Sequence, residues 1–479
     1  MFLLSGEGTV RGRKRLVALM VGVIALVGQG VVATDAAAAP RPPVAPSTAP
    51  VPMFPPLPDA DRGFYLPPQS VVDAAAPGEI LAARRVNLAN VSVLPVNVDA
   101  WQISYRSTNT RGQAIPAVST VLKPRGAAPG GSRKLLSYQM AEDSTASYCA
   151  PSYAMRAGSI PSPLTGPITV PLNFIDVVAA VAKGWAVVVP DHQGPDSAFA
   201  AGPLAGRIVL DGIRSAEQFA PLQVDGTATK VGMWGYSGGA IATGWAAELQ
   251  QSYAPELNVV GVAEGGVPAD LGALVNLGSG NLGAGLVMAG VIGVSREYPE
   301  LAGILQRRVN PLGKALVAAK NPLCLAYQSV LVPFLNIKGV FLGGDPLRDP
   351  TVKSVLAKVR MGQTVPRSPM FVYQSHPDWL VPVGPVDTLV KTYCRDPRAR
   401  VQYTRDHFSE HISLDPVAAP AALLWLGERF AGKPVRAGCS TTDVGSMALD
   451  SRSWSTLSDQ LGANVAALFG QAIGRTPTR

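Results

Sequence analysis

Short runs rich in β-branched and aromatic residues follow one another at 101–105, 118–122, 134–138, 186–189, 231–234, 259–262, 370–373 and 401–403. From residue 134 onward most of these runs are separated by stretches long enough for a helix. A strand that returns parallel to its neighbour needs such a crossover, so the alternation predicts a mainly parallel sheet covered by helices, an α/β fold. The alternation breaks between about 269 and 343, where a glycine-rich, uncharged stretch at 271–295 leads into helix-like patterns at 298–308 and 312–319. This segment is expected to be an inserted helical cap. The stretch 271–295 is long enough to span a bilayer, but Asn276, Ser279, Asn281 and repeated glycines make it a poor membrane helix. Gly283-x-Gly285 is not read as a dinucleotide fingerprint, because Met288 stands where a third glycine is required and no strand precedes it.

At the N-terminus a basic run (Arg11, Arg13, Lys14, Arg15) is followed by an apolar segment at 16–32 and by four alanines at 36–39, the layout of a cleavable signal peptide. Proline then recurs every few residues to Pro58, as in an extended linker. The expected organisation is a signal peptide at 1–39, a linker at 40–62, a first core part at 63–268, the cap at 269–343, a second core part at 344–439, and a tail at 440–479. In the tail Trp454, Leu457, Leu461, Val465, Leu468 and Phe469 recur at helical spacing and make one apolar stripe, expected to dock against the body. Few basic residues accompany it, which counts against a membrane-surface helix.

Export bears on charge and cysteine. Removing residues 1–39 takes away four basic and two acidic side chains, leaving (41 − 4) − (33 − 2) = +6. With 15% charged residues and no dense basic run beyond residue 39, nucleic-acid binding has little support. Cys149, Cys324, Cys394 and Cys439 are an even set without the close spacing of zinc sites and are read as two disulfides, with three pairings open.

Chemistry centres on Gly235-Tyr236-Ser237-Gly238-Gly239. The pattern Gly-x-Ser-x-Gly lets a sharp strand-to-helix turn lift a serine hydroxyl clear of a sheet. In so glycine-rich a chain the bare pattern arises by chance roughly a third of a time, so its context decides. The run 230–234 precedes it, and Ile241, Trp245 and Leu249 fall four apart after it on one helix face. A serine hydroxyl needs a histidine to take its proton and a carboxylate to orient that histidine, and in the α/β-hydrolase fold these follow in the order Ser, acid, His. His411 is preferred as base, in a loop just before a helix expected at 415–430; His407, almost against the strand end, is read as structural. Asp378, after the run 370–373 and the turn Ser375-His376-Pro377, is the preferred acid over Asp387, Asp345 and Asp349. His376, His407 and His411 lack the His-Glu-x-x-His pattern, so no metal is expected. The backbone N–H of Gly238 is one expected oxyanion donor; the second is expected from the loop 139–144, with no residue singled out by spacing.

Several segments together resemble the secretory lipases of the lipase A type, found in yeasts and actinobacteria. They are Gly63-Phe64-Tyr65-Leu66-Pro67-Pro68, Cys149-Ala150-Pro151-Ser152-Tyr153, Val189-Pro190-Asp191-His192-Gln193-Gly194, Leu210-Asp211-Gly212-Ile213-Arg214, the motif at 235–239, and Pro377-Asp378-Trp379-Leu380-Val381-Pro382. The resemblance runs from about 63 to 439. It implies hydrolysis of acylglycerols and related carboxylic esters with Ser237, Asp378 and His411 as triad, no cofactor, and Asp143 as the second oxyanion donor. It also implies pairing of Cys149 with Cys324 and Cys394 with Cys439, a cap over an acyl pocket, and a secreted, extracellular or envelope-associated protein. His192 departs from the pattern by standing where an aromatic residue such as tyrosine is expected, and is read as structural.

Apolar surface removed from water contributes about 25 cal/mol per Å2, and the Leu, Val, Met and Ile side chains of 271–295 suit a long acyl chain. A mobile cap would uncover them in transient contact with a lipid interface. The expected partner is a lipid or other ester, and the oligomeric state is left open. The competing expectations are a short-chain esterase, an acyltransferase or peptidase on the same triad, and a non-catalytic binding protein.

Overall fold

The structure, a computed structural model, describes residues 44–474. The expected signal peptide and the first residues of the linker lie outside the described residues.

Among the described residues ten strands form one sheet: β1 Ile80–Arg85, β2 Asp99–Thr108, β3 Ala114–Lys123, β4 Leu135–Gln139, β5 Ala186–Pro190, β6 Val231–Tyr236, β7 Val259–Gly265, β8 Met370–Ser375, β9 Arg400–Asp406 and β10 Gly438–Val444. Their order is β1-β2-β3-β5-β4-β6-β7-β8-β9-β10. β1 to β3 are antiparallel, and every pair from β5-β4 to β9-β10 is parallel. The principal helices are α1 Thr169–Ala182, α2 Gly202–Gln218, α3 Gly238–Tyr253, α4 Leu271–Gly278, α5 Ala284–Glu297, α6 Pro299–Arg308, α7 Pro311–Lys320, α8 Leu325–Val330, α9 Pro350–Val359, α10 Val383–Tyr393, α11 His411–Phe430 and α12 Trp454–Leu468.

The central strands are buried on both faces, which is why they read as continuous apolar runs. Successive residues of β6 face opposite layers: Met233 joins the core formed with α2 and α3 (Ile208, Ile213, Trp245), and Trp234 the core formed with α1 and α11 (Phe174, Leu423). Register then positions the site. Gln139 at the end of β4 pairs with Gly235, Tyr236 with Gly265, Gly265 with Tyr373, and Ser375 with Asp406. The loops that leave β4, β6, β8 and β9 therefore emerge at one carboxyl edge, where open α/β sheets hold their ligands.

Between β7 and β8 the chain forms α4 to α9. The glycine-rich stretch is largely helical, and glycine permits close approach to the body: a Cβ on Gly293 would stand 2.4 Å from the Phe199 backbone. Arg296 fastens this insertion to the body, donating to the carbonyls of Ser197 and Thr145, and within the insertion it also donates to Asn321 Oδ1. The disulfide Cys149–Cys324 joins the same two parts, and Cys394–Cys439 ties the end of α10 to β10. Among the described residues no helix is long and apolar enough to cross a membrane.

Three features differ from the sequence reading. The described part of the linker lies along the domain: Ser47 N–H donates to the Ala83 carbonyl, and Arg84 meets Asp61 and stacks 3.9 Å over the Phe64 ring. The expected boundary at 439 falls inside β10, an edge strand of mostly exposed polar residues that carries no apolar signal. Finally, α12 docks by its polar face. Thr456, Gln460 and Ala467 are buried, whereas Trp454, Leu461, Val465, Leu468 and Phe469 are 52–77% exposed. Gln460 Nε2 donates to Asp176 Oδ1 (2.7 Å) and Asn464 Nδ2 to the Ile175 carbonyl (3.2 Å), so the buried carboxylate of α1 draws in the polar side.

Candidate active site

Ser237 is the residue between β6 and α3, with φ +53° and ψ −120°, a positive φ that a non-glycine residue adopts only when its surroundings impose it. Its N–H donates to the Gly265 carbonyl (2.9 Å), which fixes the turn. At Gly238 a Cβ would lie 1.6 Å from Asp143 Oδ1, so any larger residue there would have to displace the Asp143 carboxyl.

Ser237 Oγ stands 2.9 Å from His411 Nε2, and His411 Nδ1 stands 2.8 Å from Asp378 Oδ2. Both partners are almost wholly buried. Asp378 is held by four donors: Gln374 Nε2 and Ser375 Oγ to Oδ2, and the N–H groups of Leu380 and Val381 to Oδ1. A carboxylate so fixed presents one oxygen to the imidazole in a set direction. On the other side, Tyr236 Oη donates to the His411 carbonyl (2.6 Å). His411 is the first residue of α11 and not part of a preceding loop. The helix starts four residues earlier than the sequence suggests, because Glu410 caps it by accepting from Ile412 and Ser413 N–H while Ser413 Oγ accepts from Glu410 N–H.

The alternative residues are engaged elsewhere. His407 meets His376 and Asp443 at the surface, Asp387 accepts from Tyr403 and Arg405, and Asp345 and Asp349 cap a 3-10 turn and α9. Sequence reasoning passed over Gln374, Ser375 and Tyr236 as supports of the relay. Two polar residues closing the apolar run of β8 were the available signal.

The loop after β4 brings Asp143 against Gly238. Burial raises the Asp143 carboxyl to about 7, and its Oδ1 has no hydrogen-bond partner. His192 is buried and lowered by that burial to about 4, so it is neutral, and Nε2 lies 2.8 Å from the Met140 carbonyl that it can only donate to.

Ser237 and Asp143 open onto a cavity walled by the insertion and α9, with Leu271, Val287, Val294, Leu305, Phe341 and Val355 in its lining. Every other lining residue is apolar or glycine. Together they can activate a hydroxyl, receive an acyl group and hold a long apolar chain.

A mainly parallel sheet with a serine raised on a strand-to-helix turn, and a histidine and a carboxylate presented beyond later strands at the same edge, is an α/β-hydrolase. The family model "Secretory lipase" matches residues 159–438. Lipase A of Arthroderma benhamiae is 35% identical over 88% of this chain and 90% of its own. A Mycobacterium tuberculosis (strain CDC 1551 / Oshkosh) protein named as a "Probable inactive lipase" is 38% identical over 79% of this chain and 84% of its own. The crystal structure of Candida antarctica lipase A in its closed state superposes with a TM-score of 0.77 at 30% identity, over 88% of this chain and 98% of that one. The chain thus belongs to the secretory lipase family, a family of lipase and esterase hydrolases.

Proposed function

We propose that the protein is a secreted serine hydrolase that cleaves carboxylic esters of long apolar acyl groups, acylglycerols above all, through an acyl-enzyme on Ser237. The observation that carries this is the bonded chain Ser237, His411, Asp378 at the mouth of an apolar cavity. His411 takes the Ser237 proton as Oγ attacks the ester carbonyl, then delivers it to the departing alcohol; water, deprotonated by the same imidazole, releases the acid. Asp378 holds the ring and stabilises its charged form. The oxyanion meets Gly238 N–H, at the positive end of α3, and the Asp143 carboxyl in its acid form. The segment 269–343 is a cap that encloses the acyl chain. Two disulfides accord with an oxidising, extracellular destination.

The name of the Mycobacterium tuberculosis relative describes that protein; here serine, histidine and carboxylate are all present and within hydrogen-bond reach. Hydrolysis of p-nitrophenyl esters from acetyl to palmitoyl, and of emulsified triolein, tests the reading. Long-chain turnover that Ser237→Ala abolishes supports a lipase. Preference for acetyl or butyryl with no triolein cleavage makes it a short-chain esterase, and absence of Ser237-dependent turnover refutes the hydrolase reading.

A further inference from the structure

The loop 140–144 is gripped by side chains that touch neither Ser237 nor the cavity. His192 holds the Met140 carbonyl. Asn173 Oδ1, from α1, accepts from Ala141 N–H (3.1 Å), and Thr169 Oγ1 donates to the Ala141 carbonyl. The Gln193 amide, oriented so that both its ends are satisfied, accepts from Asp143 N–H (2.9 Å) and donates to the Ser144 carbonyl (2.6 Å). Asn173, His192 and Gln193 are each at most 3% exposed. Asn173 also donates through Nδ2 to Asp415 Oδ2 (3.0 Å), one turn after His411 on α11.

Two consequences follow from this geometry. Asp143 has φ +42°, a backbone state of the kind that costs about 1–3 kcal/mol and persists only where neighbours over-determine it. Because Gln193 occupies the Asp143 N–H, that N–H is unavailable to an oxyanion, and the side chain lying against Gly238 is what Asp143 has left to offer. Asn173, meanwhile, links the loop of the proposed oxyanion site to the helix that bears the proposed base.

We propose that Gln193 and Asn173 are positioning residues for ester hydrolysis: Gln193 holds Asp143 with its carboxyl toward the oxyanion, and Asn173 fixes the spacing between that loop and His411. This rests on the serine-esterase reading. Neither residue contacts substrate, so their loss acts on the transition state through Asp143 and leaves acyl-chain binding in place.

The test uses the full chain and the variants Gln193→Leu, Asn173→Leu and Gln193→Glu, with p-nitrophenyl butyrate turnover, Ser237 labelling by a p-nitrophenyl alkylphosphonate, and thermal unfolding. Gln193→Leu is expected to lower kcat about a hundredfold, the scale of one lost oxyanion donor, with KM within twofold of wild type and phosphonate labelling slowed in parallel. Asn173→Leu is expected to lower kcat in the same sense. Gln193→Glu guards against misfolding of the apolar variants. Its side chain still accepts from Asp143 N–H but, once ionised, cannot donate to Ser144, so its kcat is expected to lie between those of wild type and Gln193→Leu. Variants with kcat within twofold of wild type overturn the proposal, as does a loss that follows KM and unfolding temperature alone. If wild type itself shows no Ser237-dependent turnover or labelling, the underlying reading fails instead and the inference falls with it.

Discussion

Burial raises the Asp143 carboxyl to about 7, and Gln193 already takes its backbone N–H, so the proposed second oxyanion donor is an acid proton present only below that pH. As pH rises through about 7 the proton leaves, a carboxylate faces the developing oxyanion, and wild-type kcat declines. An amide donates at every pH, so Asp143→Asn is expected to stay active and to lose this decline, whereas Asp143→Ala is expected to lose about a hundredfold in kcat below about pH 7, where wild type keeps the proton, and to show no such decline above it. The pH profile of p-nitrophenyl butyrate hydrolysis separates the three; equal declines in wild type and Asp143→Asn would assign the titration to another group. Ser237, Asp378 and His411 were legible as candidates because each follows a β-run and the order of roles is fixed by the fold, and their side chains lie within hydrogen-bond reach of one another. Gln193 and Asn173 were not legible as supports, since nothing in sequence says which backbone atoms a buried amide will meet.

At the scale of elements, α12 reverses the usual amphipathic arrangement. A polar face bonded to Asp176 and the Ile175 carbonyl holds it, and its apolar stripe faces outward. Gln460→Leu, although it adds an apolar group, is therefore expected to destabilise by about 1–3 kcal/mol, because it leaves a buried Asp176 oxygen without its donor. Leu461→Glu, at a 57% exposed position, is expected to change stability by no more than about 0.5 kcal/mol. Urea unfolding compares them, and the reverse order would mean that the stripe is the docking face. Periodicity revealed the helix and the stripe but could not say which side meets the body, because that depends on a carboxylate some 280 residues earlier. Likewise β10 escaped notice: as an exposed edge strand it needs no apolar residues, only a neighbour to pair with. The early start of α11 reflects the cap formed by Glu410 and Ser413, read in sequence only as part of a loop.

Across the whole molecule, burial raises several carboxyls: Asp143 and Asp191 to about 7, Asp415 to about 6, and Glu217 and Glu264 to about 8. Each sits above its unfolded value, so between about pH 4 and 8 the folded state binds more protons than the unfolded one. Their contribution to stability is complete below the unfolded values and is lost as pH rises through the folded ones. His192, lowered by burial to about 4, acts in the opposite sense between about 4 and 6.5. The melting temperature is accordingly expected to fall from pH 5 to pH 8, and a rise across that interval would contradict this distribution of buried acids. The fold itself was legible as a parallel sheet because its central strands are buried on both faces, while the docking of residues 44–62 depends on Arg84 finding Asp61 and Phe64. Ser237, activated by His411, is proposed to carry the acyl group. Labelling by a long-chain p-nitrophenyl alkylphosphonate, with the modified peptide located by mass spectrometry, probes this step. One adduct is expected, on Ser237, absent in Ser237→Ala and slowed at least about a thousandfold, on the order of a lost triad member, in His411→Ala. No adduct, or an adduct on another residue that persists in Ser237→Ala, would contradict it.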